Sequence, residues 1–280
     1  FTGVFLCVLA TAPQGASAAA VTLSNATTSS NNASSTLIKV GQTLSFQLNL
    51  SATPAATSSP VINILSMGST TMSGSGTAWT YSTTSVSAWT EGNVTFYMGW
   101  GGTVGEATTT FSSIASTTLV HVRFDKTAPS IVTTTIASNN ASTTLAKVGD
   151  VVTLTFTTSD GISTPTVTMG AQTATVVGSG SAGTSWTAST TITSSDTDST
   201  ALTFSLTPSD YAGNATSTAQ TGVTSGARVV VDRSGPTISI AGNNPDSAYA
   251  STASYSYAGA TATDNVDSSA SVGTSGAVTQ

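Results

Sequence analysis

Charged side chains are scarce in this chain: of its 280 residues only 6% are charged, with 6 Lys and Arg against 12 Asp and Glu. An ordinary soluble domain has about 25% charged residues, so other side chains make up most of this surface. Nucleic-acid binding needs clustered Lys and Arg, and a chain with a formal net charge of -6 offers few of them. The composition therefore argues against a nucleic-acid partner.

Cysteine and histidine are nearly absent as well, with one of each in the chain. This excludes a disulfide framework, a zinc site built from Cys and His, and a Cys-His nucleophile. A Ser-His-Asp triad would depend on His121, which lies in the alternating segment 120–124 (VHVRF). The alternation places His121 on the polar side of a strand. We therefore expect an exposed histidine and a protein that is not an enzyme, with no catalytic or cofactor-binding residue.

The first residues resemble a targeting segment. Residues 1–12 (FTGVFLCVLATA) form an apolar run that is shorter than the roughly 18 residues a membrane helix needs. Small residues follow at 16–18 (ASA), in the spacing that signal peptidase cleaves. We predict that residues 1–18 are part of a secretory signal peptide, which would remove Cys7 and direct the chain to the cell surface or the medium.

What the chain does contain is an internal repeat of about 107 residues, the kind of period that marks a repeat architecture. Three pairs of segments carry it: 30–41 (SNNASSTLIKVG) with 138–149 (SNNASTTLAKVG), 79–80 (WT) with 186–187 (WT), and 124–129 (FDKTAP) with 231–236 (VDRSGP). The offset is 108 in the first pair and 107 in the others. This constant register predicts a tandem duplication. The expected modules are 19–128, 129–235 and an incomplete third at 236–280.

Within each module apolar residues alternate with Ser, Thr, Gln or Asn, which is the pattern of a strand with one buried face. The clearest runs are Leu44, Phe46, Leu48 and Leu50 in the first module and Val152, Leu154 and Phe156 in the second. Clusters of Gly, Ser, Asn and Pro separate the runs. About seven short strands in about 100 residues is typical of an immunoglobulin-like sandwich. The predicted fold class is all-β, with tandem immunoglobulin-like β-sandwich domains.

Three motifs add a resemblance to a known family. They are 148–150 (VGD) before an alternating strand, 210–214 (DYAGN) late in the module, and 125–129 (DKTAP) at its end. Together they resemble the bacterial Ig-like repeats of adhesins and other large exported proteins. The first module departs from the pattern, because it has 99–102 (GWGG) where DYAGN is expected, and its late loop should be reshaped. Residues 258–267 (AGATATDNVD) resemble a related Ig-like family.

Except for Arg123, the few basic residues also recur with the repeat. The pairs are Lys39 with Lys147, Lys126 with Arg233, and His121 with Arg228. Recurrence in each module predicts a role in the scaffold rather than in one active site. An isopeptide bond from a buried Lys to an Asn is the alternative for the first pair, and it needs a neighbouring carboxyl group. The first module has only Glu91, Glu106 and Asp125 as acids, so we expect Lys39 and Lys147 to pack along the sandwich edge.

Calcium between modules is the one cofactor that the sequence suggests. Asp125 and Asp232 lie at module ends, where tandem Ig-like arrays often hold Ca²⁺ with carboxylate and carbonyl oxygens. Further oxygens are available from Asp160, Asp210, Asp264 and Asp267. Capping of turns by these side chains is the alternative. The segment 196–198 (DTD) reads as a solvated turn, and no Asp-x-Asp-x-Asp-Gly loop is present.

The expected function is that of a non-catalytic extracellular or cell-surface protein, acting as a stalk or an adhesion module. Its partners would be an unidentified glycan or protein ligand and the neighbouring modules of the same chain. Two alternatives remain open. One is a structural subunit of an S-layer, sheath or fibre, since edge strands with few charges are weakly guarded against pairing with another chain. The other is an accessory region of a larger exported enzyme.

Overall fold

The computed structural model describes residues 21–54, 59–65, 68–101, 111–115, 121–178, 183–241 and 259–273, with only the backbone described for 101 and 111–115. The predicted signal segment 1–18, Glu106 and much of the third module lie outside these ranges. Every regular element within them is a strand, so the all-β prediction is confirmed. The same ranges contain no helix with the length and apolar character needed to cross a membrane. The chain divides into two compact units, 1–126 and 127–280.

The described part of the first unit has eleven strands. In chain order they are β1 (Leu23–Ser30), β2 (Leu37–Ile38), β3 (Thr43–Leu50), β4 (Val61–Ile64), β5 (Ser69–Thr71), β6 (Ser73–Ser75), β7 (Ala78–Thr84), β8 (Gly92–Asn93), β9 (Phe96–Gly101), β10 (Phe111–Ala115) and β11 (Arg123–Phe124). They form three sheets, with strand orders β1-β3-β7-β6, β10-β9-β4-β5 and β2-β11-β8. All pairings are antiparallel except that of β2 with β11, which is parallel.

The second unit has twelve strands in its described residues. They are β12 (Ile131–Ser138), β13 (Leu145–Ala146), β14 (Val151–Thr158), β15 (Val167–Met169), β16 (Gln172–Thr173), β17 (Thr175–Gly178), β18 (Ser185–Thr191), β19 (Thr200–Ala201), β20 (Phe204–Leu206), β21 (Val230–Val231), β22 (Thr237–Ile240) and β23 (Ala260–Thr263). The first ten give the orders β12-β14-β18-β17, β13-β21-β19 and β16-β15-β20, while β22 and β23 form a separate pair. The pairing of β13 with β21 is again parallel.

The two units therefore share one strand order over most of their length. The four-stranded sheet β1-β3-β7-β6 corresponds to β12-β14-β18-β17, and β2-β11-β8 corresponds to β13-β21-β19. Even the irregularity recurs: the register of β1 shifts between Leu23 and Asn25, and that of β12 shifts between Ile131 and Thr133. Among the described residues β10 has no counterpart in the second unit. The same alternating sequence thus produces the same β-sandwich-like layering twice.

Alternation along β3 and β14 places one set of side chains in the core of each unit. In β14 the apolar residues Val152, Leu154 and Phe156 are fully buried, while the threonines between them are exposed or half-buried. Threonine suits these outward positions because its branched side chain favours the extended backbone and its hydroxyl group reaches water. Burying each large apolar side chain contributes about 1.5–3 kcal/mol, so these strands supply much of the stability of their unit.

We predict that Phe156→Ala destabilises the second unit by about 3–5 kcal/mol, because it removes a fully buried aromatic side chain and leaves a cavity. Native-state hydrogen exchange of the β14 amides measures this loss directly. The control is Val177→Ala, which changes a side chain that is 63% exposed and should alter protection by less than about 0.5 kcal/mol. Equal losses in the two variants would contradict the burial pattern described for β14.

Candidate functional site

One asparagine side chain holds the turn before the long strand in each unit. In the first unit Asn32 accepts a hydrogen bond from the N–H of Ser34 at 3.0 Å and donates one to Gln42 Oε1 at 2.8 Å. Residues 108 positions further on repeat this arrangement: Asn140 accepts from the N–H of Ser142 and donates to Asp150 Oδ2 at 2.7 Å. We call these segments, 30–42 and 138–150, the asparagine turns.

The recurring lysines take part in the asparagine turns through their backbone. The N–H of Lys39 donates to Gln42 Oε1, and the N–H of Lys147 donates to Asp150 Oδ2, both at 2.9 Å. The side chain of Lys147 is exposed and that of Lys39 is half-buried. An isopeptide bond needs a buried lysine, and the exposed side chain of Lys147 does not match that requirement.

A basic side chain at the end of each unit binds the carbonyl groups of a turn. Lys126 Nζ donates to the carbonyl oxygens of Ser87 and Trp89 at 2.9 and 3.0 Å. In the second unit, Arg233 donates through one guanidinium nitrogen to the carbonyl oxygens of Ser194 and Asp196, 107 positions further on. We call this arrangement the basic clamp.

A carboxylate completes the basic clamp by binding the backbone of the same basic residue. The N–H of Lys126 donates to Glu91 Oε1 at 2.8 Å, and the N–H of Arg233 donates to Asp198 Oδ1 at 2.6 Å. Asp198 Oδ2 also accepts a bond from the Ser234 hydroxyl at 2.7 Å. These bonds lower the pKa of Asp198, with the Ser234 hydroxyl as the largest cause. Side chain and backbone together fix the segment that follows the last strand of each repeat.

The two aspartates predicted at module ends have different surroundings. Asp125 is buried, and its Oδ2 forms an ion pair with the Arg123 guanidinium at 2.9 Å. Asp232 is half-buried. Burial raises the pKa of Asp232, and the nearby carboxylates of Asp264, Asp198 and Asp267 raise it further. In the second unit, therefore, two further calcium candidates, Asp264 and Asp267, lie near enough to Asp232 to affect its pKa.

The other candidate acids cap turns. Asp210 is buried and accepts bonds from the backbone N–H and the side-chain amide of Asn214 at 2.8 and 2.9 Å, which closes the DYAGN loop. Asp160 is exposed and accepts the N–H of Gly161. Asp264 Oδ1 accepts the N–H groups of the second and third residues after it, and Asp267 accepts bonds from Ser269. In the described ranges no group of three or more His, Cys, Asp and Glu side chains has the arrangement of a metal site.

The prediction that the segment 196–198 is a solvated turn is wrong for Asp196. Asp196 is only 3% exposed, and its Oδ2 accepts hydrogen bonds from the Thr193 N–H at 2.8 Å, the Thr193 hydroxyl at 3.2 Å and Gln172 Nε2 at 3.3 Å. Its Oδ1 has no hydrogen-bond partner among the described residues, and the same holds for Gln172 Oε1. Asp196 also lines a cavity of about 280 Å³, together with Leu202 and Val231.

His121, the chain's one histidine, is exposed just before β11, as the alternation of its segment predicts. The lining of the Asp196 cavity contains no histidine or cysteine. A sequence signal for this cavity does exist: at the repeat offset, Asp196 replaces an apolar residue, Trp89, of the first module. The two modules therefore differ at this position, which has a carboxylate in the second and an apolar side chain in the first.

Comparison with known proteins assigns no family: no protein-family model matches the chain, and no curated protein is significantly similar to it. The resemblance to bacterial Ig-like surface repeats therefore stays a prediction.

We predict that the second asparagine turn is sensitive to acid and that the first is not. The pKa of Asp150 lies below its ordinary value of 3.8, chiefly because the Asn140 side chain donates to it and also because of the Lys147 N–H. Its stabilising contribution is therefore fully present above pH 3.8 and is lost as the pH falls through the lower pKa of the folded state. The first turn has Gln42 at this position, which does not titrate.

Thermal unfolding followed by circular dichroism between pH 5 and pH 2.5 tests this prediction. Asp150→Gln, which copies the first unit, should show a smaller fall in unfolding temperature on acidification than the unaltered chain. Gln42→Glu is the reciprocal variant and should enlarge that fall. The prediction fails if Asp150→Gln and the unaltered chain have the same pH dependence.

Proposed function

We propose that this chain is a non-catalytic extracellular or cell-surface protein in which tandem Ig-like modules act as a stalk or an adhesion module. The observation that supports it best is the recurrence of the basic clamp: Lys126 and Arg233, 107 positions apart, bind carbonyl groups of equivalent turns. A chemical site used once per chain would need its polar groups in one unit. Groups that recur in each unit serve the fold of that unit.

The position of the clamp suits a protein made of consecutive modules. Lys126 and Arg233 follow the last strands of the repeats, β11 and β21, at the point where the chain leaves each sandwich. Each is held both by its side chain and by its backbone N–H, which accounts for two of the six Lys and Arg residues in the chain. In such a chain, these two basic residues hold the segment that follows each module. Neutral side chains on the surface would then bind the ligand.

A structural subunit of an S-layer, sheath or fibre is the second candidate, and exposed apolar residues near sheet edges favour it. The edge strand β17 has no charged residue, and its Val177 is 63% exposed. In the β22–β23 pair Ile238 and Ile240 are 59% and 48% exposed. Uncharged edges of this kind are templates for pairing with a second chain. The third candidate, an accessory region of a larger exported enzyme, has no specific support in the described residues.

Calcium at module ends stays a prediction. Its strongest support is the pKa of Asp232, which is raised first by burial and then by nearby carboxylates, whose charge a divalent cation would neutralise. The corresponding Asp125 of the first unit is instead paired with Arg123. We therefore expect any calcium effect in the described residues to depend on Asp232.

Electron microscopy of the purified full chain distinguishes a stalk from a structural subunit of an S-layer, sheath or fibre. We expect isolated molecules at micromolar concentration, with the same appearance for Val177→Lys, which places a charge on the β17 edge. Val177→Thr is the matched neutral control. Regular fibres or lattices that Val177→Lys abolishes and Val177→Thr retains would overturn the stalk proposal and establish the structural subunit.

A further inference from the structure

The second unit has a cavity at a position that the first unit fills with two aromatic rings. In the first unit Trp89 and Phe124 are 3% and 0% exposed and pack edge to face, with their ring centroids 5.5 Å apart. The residues 107 positions further on are Asp196 and Val231, and both line the cavity of about 280 Å³. The side chains at these two positions are therefore smaller in the second unit, and the cavity lies beside them.

Backbone hydrogen bonds show that these positions are equivalent. The N–H of Trp89 donates to the carbonyl of Val86 at 3.0 Å, and the N–H of Asp196 donates to the carbonyl of Thr193 at 3.2 Å. The carbonyl groups of Trp89 and Asp196 both accept from the basic clamp. Phe124 and Val231 likewise occupy equivalent places at the end of β11 and β21, which pair in parallel with β2 and β13, the short strands within the asparagine turns.

The carboxylate of Asp196 has one oxygen satisfied and one not. Oδ2 accepts three hydrogen bonds, whereas Oδ1 is buried and accepts none from the described residues. The Arg233 guanidinium binds the carbonyl of Asp196 rather than its carboxylate. Buried charges in proteins are ordinarily paired with an opposite charge or bound to a metal ion, because an unpaired one is costly.

Glycine at position 170 leaves room for the Asp196 carboxylate. Gly170 has a positive φ of 58°, and a Cβ atom built on it would overlap Asp196 Oδ1. It would also lie 3.0 Å from Leu202 Cδ1, on the apolar side of the cavity. Any larger residue at position 170 would therefore displace the carboxylate.

We propose that the cavity beside Asp196 is a binding site for a small cation, with the Asp196 carboxylate as its principal ligand. The cation is a hard metal ion or a protonated primary amine, which share the chemistry of a positive charge held by a carboxylate oxygen. The lining also includes Thr197 and Thr200, whose oxygen atoms suit a hard cation, and it contains no soft sulfur or imidazole ligand. The site belongs to the second unit alone, because Trp89 and Phe124 occupy the equivalent space in the first. It does not depend on the proposed stalk function.

Nuclear magnetic resonance titration of the full chain tests the proposal. The probes are sodium, calcium and magnesium chlorides and methylammonium chloride, added separately at constant ionic strength with tetramethylammonium chloride as the bulky balance salt. We expect at least one probe to shift the amide signals of Gly170 and Thr193 along a saturable one-site curve. Saturation by a metal salt identifies a metal site, and saturation by methylammonium alone identifies an amine site. Absence of saturable shifts with all four probes would overturn the proposal.

Two variants localise the cation. Asp196→Asn keeps an oxygen acceptor for Thr193 and presents an NH₂ group in place of Oδ1, so the affinity should fall at least tenfold. Asp232→Asn removes a carboxylate from the acidic group near the end of the same unit and should leave this affinity unchanged. Loss of binding in Asp232→Asn with retention in Asp196→Asn would place the cation elsewhere and refute the proposal.

A filling variant provides a test that does not depend on how Asp196→Asn folds. The double substitution Asp196→Trp with Val231→Phe introduces the pair of rings that the first unit already accommodates. It should abolish the saturable shifts while the amide signals of β14 remain dispersed as in a folded unit. Persistence of the same saturable shifts in this folded variant would show that the cavity is not the binding site.

Discussion

Hydrogen bonds from side chains to the backbone hold the loops of both units, and the rest of the fold depends on them. With so few charged residues, the chain cannot use networks of ion pairs to define its turns. Asn32 and Asn140 each organise a turn with a donor and an acceptor on one amide group. These turns determine where β3 and β14 begin. A strand displaced by one residue would direct its apolar side chains to the wrong face of the sheet.

The two described units share these hydrogen bonds to the backbone, but they differ in the side chains at equivalent positions. Gln42 and Asp150 accept the same bonds, yet only the aspartate titrates. Trp89 and Asp196 lie at equivalent positions, but one fills the interior with an indole ring and the other leaves a carboxylate beside a cavity. Conserving the backbone bonds allows the interior to change without loss of the strand order. The second unit can therefore acquire a chemical property that the first lacks.

The sequence predicted the strands well because alternation reports burial directly. Leu44, Phe46, Leu48 and Leu50 are all buried, as their spacing requires. The burial of Asp196 could not be predicted in the same way. A short Asp-Thr-Asp segment is typical of exposed turns, and the segment itself does not show the contact with Gln172, which lies 24 positions earlier in the chain and binds the first carboxylate. Comparing the modules position by position reveals the difference, although it does not show which way the side chain points.

The parallel pairing of β2 with β11, and of β13 with β21, determines how each unit would respond to tension. In both units a strand near the beginning of the repeat lies beside the last strand and runs in the same direction. Pulling on the two ends of a unit would then slide these strands past one another, so that their hydrogen bonds carry the load together instead of opening one at a time. The basic clamp lies immediately beyond that pair, where a tethered chain would first feel the pull.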